Sequence, residues 1–365
     1  MTEPILIDSH EDLAWNMLTF GRDYTLPAEE TRRREVGSLA SQVNGDTLLG
    51  WPDYQRGKVA VIFSTLFAAP LRRKLGDWDQ QSYADADEAH MYYSSQLDAY
   101  QRLVEEHPAM FRKIEQRSDL VTVLEHWQRS DTQEHPVGLV VLMEGAEGVR
   151  QPAELEDWYQ RGVRIIGPAW AGTRFCGGTR EPGGMTKEGY ALLDGMADFN
   201  LTLDLSHMDE LAALQALDHY PGLIIASHAN ALELLKATGS NRHLSDKVIL
   251  GLLNRGGAIG VVLANHFLRP DWQEAGGRAS VGLDYVAAQV DYICQLAGNA
   301  LHVGIGTDFD GGFGLQSVPA EIDTIADVRK IIPILSQKGY TESDIIAILG
   351  GNWLAYLNKA LPEVL

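Results

Sequence analysis

The stretch LTLDLSHMDELAALQALDHYPGLIIASHAN, residues 201–230, contains the pattern that decides the fold. Two short apolar runs, at 201–205 and 223–226, flank a segment at 209–220 in which apolar residues recur with helical spacing. Strand, helix and strand in this order are typical of a parallel βαβ unit. Each run is followed by Ser-His, and parallel strands end at one edge of their sheet, so two histidines are expected at that edge.

The same pattern recurs along the chain. Further apolar runs begin near residues 4, 58, 137, 163, 258 and 302, and helical periodicity marks segments between runs, for example 86–107, 189–200 and 245–257. Together these make eight runs, the number that closes a parallel barrel. An open doubly wound sheet is the competing architecture, but a glycine turn usually follows its first strand, and the first run here ends in DSHED. We therefore predict an α/β fold, a (β/α)8 TIM barrel.

The length of 365 residues exceeds the roughly 250 of a typical barrel, so insertions or a second domain must account for the excess. We predict one domain over residues 1–365, with insertions after strands 1 and 2 at about 19–57 and 70–136, because no Pro/Ser/Gly-rich linker sets these segments apart. The two segments 325–340 and 341–361 are predicted to form two extra C-terminal helices. The second of them has a capping pattern from Thr341 to Asp344.

Composition excludes several classes of protein. A formal net charge of −20 argues against nucleic acid and anionic membrane surfaces as partners, since both require clustered Lys and Arg. Cys176 and Cys294 have no metal-type spacing and do not support a disulfide scaffold. The N-terminus carries acids where a signal peptide needs a basic start, and no apolar stretch reaches the ~18 residues of a membrane span. We expect a cytoplasmic protein whose partner is a small molecule.

Two acidic positions follow apolar runs early in the chain. His10 and Asp12 are two residues apart, so on an extended strand both side chains point to the same face, although polar residues at a strand end entering a loop fit equally well. Glu144 directly follows the run VGLVVLM. An acid there is costly to bury unless it is paired or bound to a cation, and a surface turn is the alternative.

The later strand ends carry the remaining candidates. A lone histidine in such a place is commonly a hydrogen-bonded core residue, but His207 and His228 in the same register of consecutive strands favour a shared metal, with Asp204 as a supporting partner. Asp308 and Asp310 again lie two apart. One is expected to be catalytic and the other structural, and we favour Asp308 for catalysis because it comes first after the apolar run.

These candidates form one set of possible ligands: His10, Asp12, Glu144, His207 and His228. Three histidines and two carboxylates exceed the needs of a three-ligand zinc site, but they suit two divalent metal ions that share Glu144. A site of histidines and carboxylates without cysteine is typical of hydrolysis rather than of structural zinc.

The chain resembles the membrane (renal) dipeptidases, a family of zinc peptidases with an amidohydrolase-like barrel. The segments that carry the resemblance are, in order, DSHEDL, MEG, DLSH, SHAN, NRHLSD and GIGTDFDGG. The resemblance implies two Zn²⁺ ions, one held by His10 and Asp12, the other by His207 and His228, with Glu144 bridging. It also suggests a homodimer and a bacterial-type cytoplasmic member.

Two further roles come from the resemblance. Arg242 matches the arginine that holds a substrate carboxylate, a task that suits the planar fork of a guanidinium. Asp308 matches the acid beside the bridging water, where it takes that water's proton and passes it to the leaving amine.

The chain departs from the family pattern after the fourth strand. The family carries a histidine there that contacts the substrate carbonyl, whereas this chain has Trp170. In other enzymes, loss of such a hydrogen-bond donor lowers the rate ~100-fold or more. In this chain the replacement could equally indicate a changed substrate. His266, at the end of the seventh strand, is a candidate replacement, although a polar residue packed under a loop is the simpler interpretation. Glu11 stands where many relatives have an amide.

The sequence therefore predicts a binuclear metal-dependent hydrolase that cleaves dipeptides or similar small amides by a metal-bridging hydroxide. Trp170 leaves two alternatives open. One is a related amidohydrolase that acts on N-acyl amino acids, lactones or phosphoesters. The other is a barrel that binds a ligand without catalysis.

Overall fold

A computed structural model of the protein describes residues 4–129 and 134–363. Eleven strands are formed: β1 Leu6–Glu11, β2 Val59–Phe67, β3 Phe111–Lys113, β4 Val137–Glu144, β5 Val163–Gly167, β6 Cys176–Gly178, β7 Glu181–Met185, β8 Thr202–Asp204, β9 Ile224–Ile225, β10 Ile259–Val261 and β11 Val303–Ile305. The ends of the chain and residues 130–133 of the second predicted insertion lie outside the described residues.

Eight of these strands form a nearly closed parallel barrel in the order β10-β11-β1-β2-β4-β5-β8-β9. A parallel bridge between Ala226 and Ile259 brings the last strand beside the first. The eight strands coincide with the eight apolar runs, so the predicted (β/α)8 TIM barrel is confirmed. β2 and β4 are buried along their whole length, as expected where helices cover the outer face of a barrel and side chains fill its interior.

Within the described residues, fourteen α-helices surround the barrel: α1 Leu13–Phe20, α2 Ala28–Glu35, α3 Leu39–Val43, α4 Trp51–Gly57, α5 Ala86–Glu106, α6 Arg117–Gln128, α7 Leu155–Gln160, α8 Lys187–Asp198, α9 Glu210–His219, α10 Asp246–Asn254, α11 Leu283–Ala297, α12 Ile331–Gln337, α13 Glu342–Ile346 and α14 Asn352–Ala360. Each segment that we predict to be helical overlaps at least one of them. In the described part of the chain, none of the helices combines the length and the apolar character needed to cross a bilayer.

The segments between the first barrel strands contain most of the extra secondary structure. Four helices, α1 to α4, lie between β1 and β2, and α5, β3 and α6 lie between β2 and β4. β3 is three residues long and pairs only with β4, outside the barrel. The sequence does not predict it, because so short a run carries no period of its own.

The C-terminal helices close the interior of the barrel. Thr341 caps α13 as predicted, since its Oγ1 accepts from Asp344 N at 3.2 Å while the Asp344 carboxylate accepts from Thr341 N at 2.9 Å. A π-helical turn continues α13 into α14, where Trp353 packs on Phe63 of β2 with ring centroids 5.3 Å apart. An added Cβ at Gly304 would lie 2.2 Å from Trp353 Nε1, so a glycine is required for this close approach.

Candidate metal centre and active site

The predicted site residues gather at the carboxyl ends of five barrel strands. His10 lies at the end of β1 and Glu144 is the last residue of β4. His207, His228 and Asp308 each follow their strand by three residues. All three are buried, because the loops that follow the strands turn back over the barrel opening. Sequence position alone therefore places these side chains at one opening of the barrel.

His207 and His228, called the histidine half here, converge on Glu144. Their Nε2 atoms lie 3.0 Å apart, and Glu144 Oε1 lies 3.0 Å from the first and 3.2 Å from the second. Ligands about 2.1 Å from a tetrahedral zinc ion stand about 3.4 Å apart, so the three atoms are close to the spacing of a metal's coordination sphere. His207 adopts a left-handed backbone conformation, with φ of 67°, which is uncommon for a residue other than glycine and typical of functional sites.

Hydrogen bonds on the far side of each imidazole favour the tautomer in which Nδ1 carries the proton and Nε2 does not. Ser227 Oγ donates to the Asp204 carboxylate and accepts from His228 Nδ1 at 2.8 Å. Thr179 Oγ1, between β6 and β7, accepts from His207 Nδ1 at 3.0 Å and donates to the His207 carbonyl at 3.4 Å. With the proton on Nδ1, each Nε2 presents a lone pair.

His10 and Asp12, called the N-terminal half here, are held less tightly. His10 Nε2 lies 3.7 Å from Asp12 Oδ2, 3.8 Å from Glu144 Oε2 and 3.8 Å from Asp308 Oδ1. The Asp12 Oδ1 atom is buried without a hydrogen-bond partner. Thr65 Oγ1 approaches the His10 ring nitrogens only to 3.4 and 3.5 Å.

Protonation differs between the two halves. Burial lowers the pKa of His207 and of His228 well below the usual value, and the positive charges of Arg242 and His10 add to this effect. Burial also opposes protonation of His10, but the carboxylates of Glu144, Asp12 and Asp308 outweigh it and raise its pKa to about 10. Burial therefore favours neutral imidazoles in the histidine half, whereas the neighbouring carboxylates favour the protonated ring of His10.

The residues fit a divalent cation pair. In the histidine half, the two Nε2 atoms and Glu144 Oε1 surround one point, and with the imidazole protons on Nδ1 both nitrogens direct lone pairs at it, an arrangement that a cation would stabilise. Three groups of side chains have ligand atoms that all lie within 4.8 Å of one another. They are Glu144, His207 and His228; His10, Asp12 and Glu144; and His10, His228 and Asp308. Glu144 belongs to two of these groups, so a carboxylate shared between two ions is compatible with the geometry.

Asp308 and Asp310 have separate surroundings although only one residue lies between them. Asp310 accepts from Arg22 Nη1 at 3.0 Å, from Tyr24 at 2.8 Å and from Leu48 N at 3.0 Å, so it ties the segment after α1 to the barrel. Asp308 lines the central cavity instead. Burial raises the pKa of Asp308 to about 7, with opposing effects from His10 and Asp12.

Arg242 is a buried cation with free donors. Its Nη2 donates to the His228 carbonyl at 2.8 Å, but Nε and Nη1 have no hydrogen-bond partner in the part of the chain that the structure describes. The side chain lines the same cavity as Asp308, and its guanidinium carbon lies 5.2 Å from the centroid of the Phe267 ring. A buried guanidinium with two unpaired N–H groups is suited to a ligand carboxylate.

The cavity that joins these groups has a volume of about 250 Å³ and an aromatic wall. Trp170 lies on it with its ring centroid 5.0 Å from Phe67 and 6.2 Å from His207. His266 also lines the cavity, with an exposed side chain beside Phe267 at 4.0 Å between centroids.

Sequence reasoning missed several residues of the site. Thr179 gave no signal, because the β6–β7 hairpin around it is rich in glycine and lacks the alternation of a strand. Trp15 of α1 and Phe67 of β2 line the cavity but resemble ordinary core residues in the sequence. The sequence shows Ser227 as part of the repeated Ser-His pattern, but it does not predict the hydrogen bond from Ser227 to Asp204.

Comparison with known proteins identifies the family of the chain. The family model described as membrane dipeptidase (peptidase family M19) matches residues 1–361. The Klebsiella pneumoniae "Uncharacterized protein in pqqA 5'region" is 31% identical over 238 residues, which cover 62% of this chain and 83% of that protein. Dipeptidase ataJ of Aspergillus terreus is 24% identical over 309 residues, 75% of this chain and 69% of the relative.

Solved structures share the fold. A metallo peptidase from Rhodobacter sphaeroides, liganded with a phosphinate mimic of the dipeptide L-Ala-D-Ala, has a TM-score of 0.77 at 21% identity, with 98% of this chain and 100% of that chain covered. The probable dipeptidase PvdM from Pseudomonas aeruginosa has a TM-score of 0.76 at 20% identity, with coverage of 98% and 96%. With the family model matching almost the whole chain, the protein belongs to the membrane dipeptidase family, peptidase family M19, and is an enzyme of the metallo-dipeptidase class.

Proposed function

We propose that this enzyme hydrolyses dipeptides at a binuclear zinc centre held by His10, Asp12, Glu144, His207 and His228. The observation that carries the proposal is the convergence of His207 Nε2, His228 Nε2 and Glu144 Oε1 on one point, at distances of 3.0 to 3.2 Å from one another. Two divalent ions bound there would supply an activated water shared between them and a polarised scissile carbonyl.

The remaining steps belong to side chains of the cavity. Arg242 binds the free carboxylate of the substrate through Nε and Nη1, which have no other partner. This contact orients the scissile bond toward the carboxylates at the strand ends. Asp308, on the same cavity, accepts the proton of the attacking water and delivers it to the leaving amine.

Trp170 shapes the opposite side of the cavity. Its ring and Phe67 form an apolar wall where the substrate's N-terminal side chain packs. In the family a histidine contacts the substrate carbonyl from this position, and the indole of Trp170 would make a different contact with it. His266 is one of the cavity side chains that can donate a hydrogen bond, and its contribution to catalysis stays a prediction that a His266→Ala variant tests through kcat.

N-acyl amino acids are the second candidate substrates. Among the described residues that line the cavity, the carboxylates are Asp12, Glu144 and Asp308, all of them at the proposed centre. An α-ammonium therefore has no separate carboxylate to bind, whereas an apolar acyl group fits the wall of Trp170 and Phe67. Both candidates share the free carboxylate that Arg242 binds.

Zinc-loaded enzyme and a substrate panel test the proposal. We expect two zinc equivalents per chain by elemental analysis and hydrolysis of Leu-Ala, assayed with L- and D-alanine at the C-terminus, above that of N-acetyl-leucine and of a lactone or phosphoester. Hydrolysis of the acylated amino acid alone would favour the second candidate. Full metal loading with no turnover of any dipeptide would contradict the proposed function. Cytoplasmic location and a homodimer stay predictions, the latter open to light scattering.

A further inference from the structure

Arg180 presents a second guanidinium at the cavity, and the proposed function does not use it. The residue lies in the turn between β6 and β7, and its exposed side chain lines the same cavity as Arg242 and His266. Hydrogen bonds involve its backbone N–H, whereas its guanidinium has no acceptor within residues 4–129 and 134–363. A charge that faces a binding cavity without a partner is available to a ligand.

The backbone holds Arg180 in this place. Its φ is 65°, a left-handed conformation that is costly for a residue other than glycine and persists only where its surroundings enforce it. Arg180 N donates to Asn241 Oδ1 at 2.9 Å, and Asn241 Nδ2 donates to the Gly178 carbonyl at 2.9 Å and to Asp209 Oδ2 at 3.0 Å. Because Asn241 directly precedes Arg242, one side chain ties the two arginines together.

Arg73 differs from Arg180 because it forms an ion pair with a carboxylate of the protein. It also lines the cavity, but its Nε donates to Glu181 Oε1 at 2.7 Å. Within the described residues, Arg73 therefore has its charge paired with a carboxylate, whereas Arg180 and Arg242 have no ion pair within 4.0 Å.

We infer that the preferred substrates have an acidic C-terminal residue, whose main-chain carboxylate binds Arg242 and whose side-chain carboxylate binds Arg180. The inference rests on the proposed function, because it names the substrate class of that site. The buried Arg242 fixes the main-chain carboxylate, and the group attached to the same Cα is the side chain of the leaving residue. A neutral side chain there leaves Arg180 without a partner, whereas Asp or Glu neutralises it.

Leu-Asp and Leu-Asn, each with an L or a D C-terminal residue, form a nearly isosteric pair that differs by one charge. We expect the zinc-loaded enzyme to have the higher kcat/KM for Leu-Asp. In the Arg180→Gln variant the ratio of kcat/KM for Leu-Asp over Leu-Asn should fall about 5-fold, the size expected for one exposed ion pair. The change should lie mainly in KM, because the contact is made equally in the bound substrate and in the transition state. Added salt should reduce the wild-type ratio.

Matched variants control for charge and folding. Arg102→Gln removes the same charge from an exposed position on α5, away from the cavity, and should keep the wild-type ratio. Arg180→Lys keeps the charge and should retain part of the preference, whereas Arg180→Glu should invert it. Inhibition by free aspartate relative to free asparagine gives a binding measurement on the same proteins, with the same expected order.

The outcomes separate this inference from the proposed function. A wild-type enzyme that cleaves Leu-Asn as well as Leu-Asp, or an Arg180→Gln variant with an unchanged ratio, would overturn the role of Arg180 while dipeptide hydrolysis stands. Failure of the loaded wild type to cleave either peptide or Leu-Ala would overturn the proposed function itself.

Discussion

In the histidine half the Nε2 atoms of His207 and His228 lie 3.0 Å apart, whereas in the N-terminal half His10 Nε2 lies 3.7 Å from Asp12 Oδ2. Ser227 and Thr179 hold both imidazoles of the histidine half through Nδ1. Besides the carboxylates near its Nε2, the ring of His10 has long contacts to Thr65 and a stacking contact with His228 at 3.6 Å between centroids.

The difference teaches how a buried centre is prepared for cations. Where hydrogen bonds to Nδ1 fix the tautomer and the ring orientation, the Nε2 lone pairs already point to the place of the ion. Where such hydrogen bonds are long, as at His10, the cation itself must fix the orientation of the ring. We therefore expect the histidine half to bind the first metal ion and the N-terminal half to complete the pair.

The largest expected effect concerns Asp308, the carboxylate nearest the N-terminal half that we place outside the ligand set. Replacement of Asp308 by Asn should lower kcat about 1,000-fold, within the usual range for loss of a general base, while zinc content stays at the wild-type level. Steady-state kinetics and elemental analysis of the same sample check this. Loss of one zinc equivalent would make Asp308 a ligand, and an unchanged kcat would remove it from the mechanism.

The next effect tests the hydrogen bonds of the histidine half. Ser227→Ala and Thr179→Val remove the acceptors for Nδ1 of His228 and His207, and each should weaken zinc affinity about 10- to 100-fold. Competition with a chromogenic chelator measures the affinity, and the melting temperature of the metal-free variants controls for folding. Wild-type affinity in both variants would show that these hydrogen bonds do not prepare the site.

Metal titration compares the two halves directly. Zinc added to chelator-treated enzyme should bind in two calorimetric steps, the first at least about 10-fold tighter than the second. At 100 times the dissociation constant, one bound ion should stabilise the fold by about 2.7 kcal/mol, seen as a higher melting temperature. In the Ser227→Ala variant the gap between the steps should narrow. A single calorimetric step for both ions would contradict the prediction that the two halves differ in zinc affinity.

The smallest effect is expected at Thr65. Because its Oγ1 lies 3.4 Å or more from the His10 ring nitrogens, Thr65→Val should change zinc affinity less than about 2-fold, below the cost of losing an ordinary hydrogen bond. The same chelator competition measures it beside Ser227→Ala. An equal loss in the two variants would mean that both halves depend on their neighbours to the same degree.

Most of the barrel was predictable because each of its strands is a short apolar run followed by a helical period. The β6–β7 hairpin was not, since Cys176–Gly178 and Glu181–Met185 contain more glycine and proline than branched or aromatic residues. Its pairing depends on neighbouring loops, and the segment carries both Thr179 and Arg180. The part of the site that is hardest to predict therefore comes from the part of the fold with the weakest sequence signal.

The candidate site divides in the same way. His10, Glu144 and His228 were predictable because they end apolar runs, and the parallel barrel brings such ends together. Asp308 and Asp310 have similar positions in the sequence, and only the structure distinguishes them, since Arg22 and Tyr24 come from the segment between β1 and β2 to bind Asp310.

The sequence by itself determined the eight strands, their parallel order of strand and helix, and the set of histidines and carboxylates at their ends, because all of these depend on local periodicity and on spacing along the chain. Only the tertiary structure decided which nitrogen of each histidine is free, which aspartate faces the cavity and which arginines lack a partner. Those properties depend on contacts between residues far apart in the sequence, and no local pattern records them.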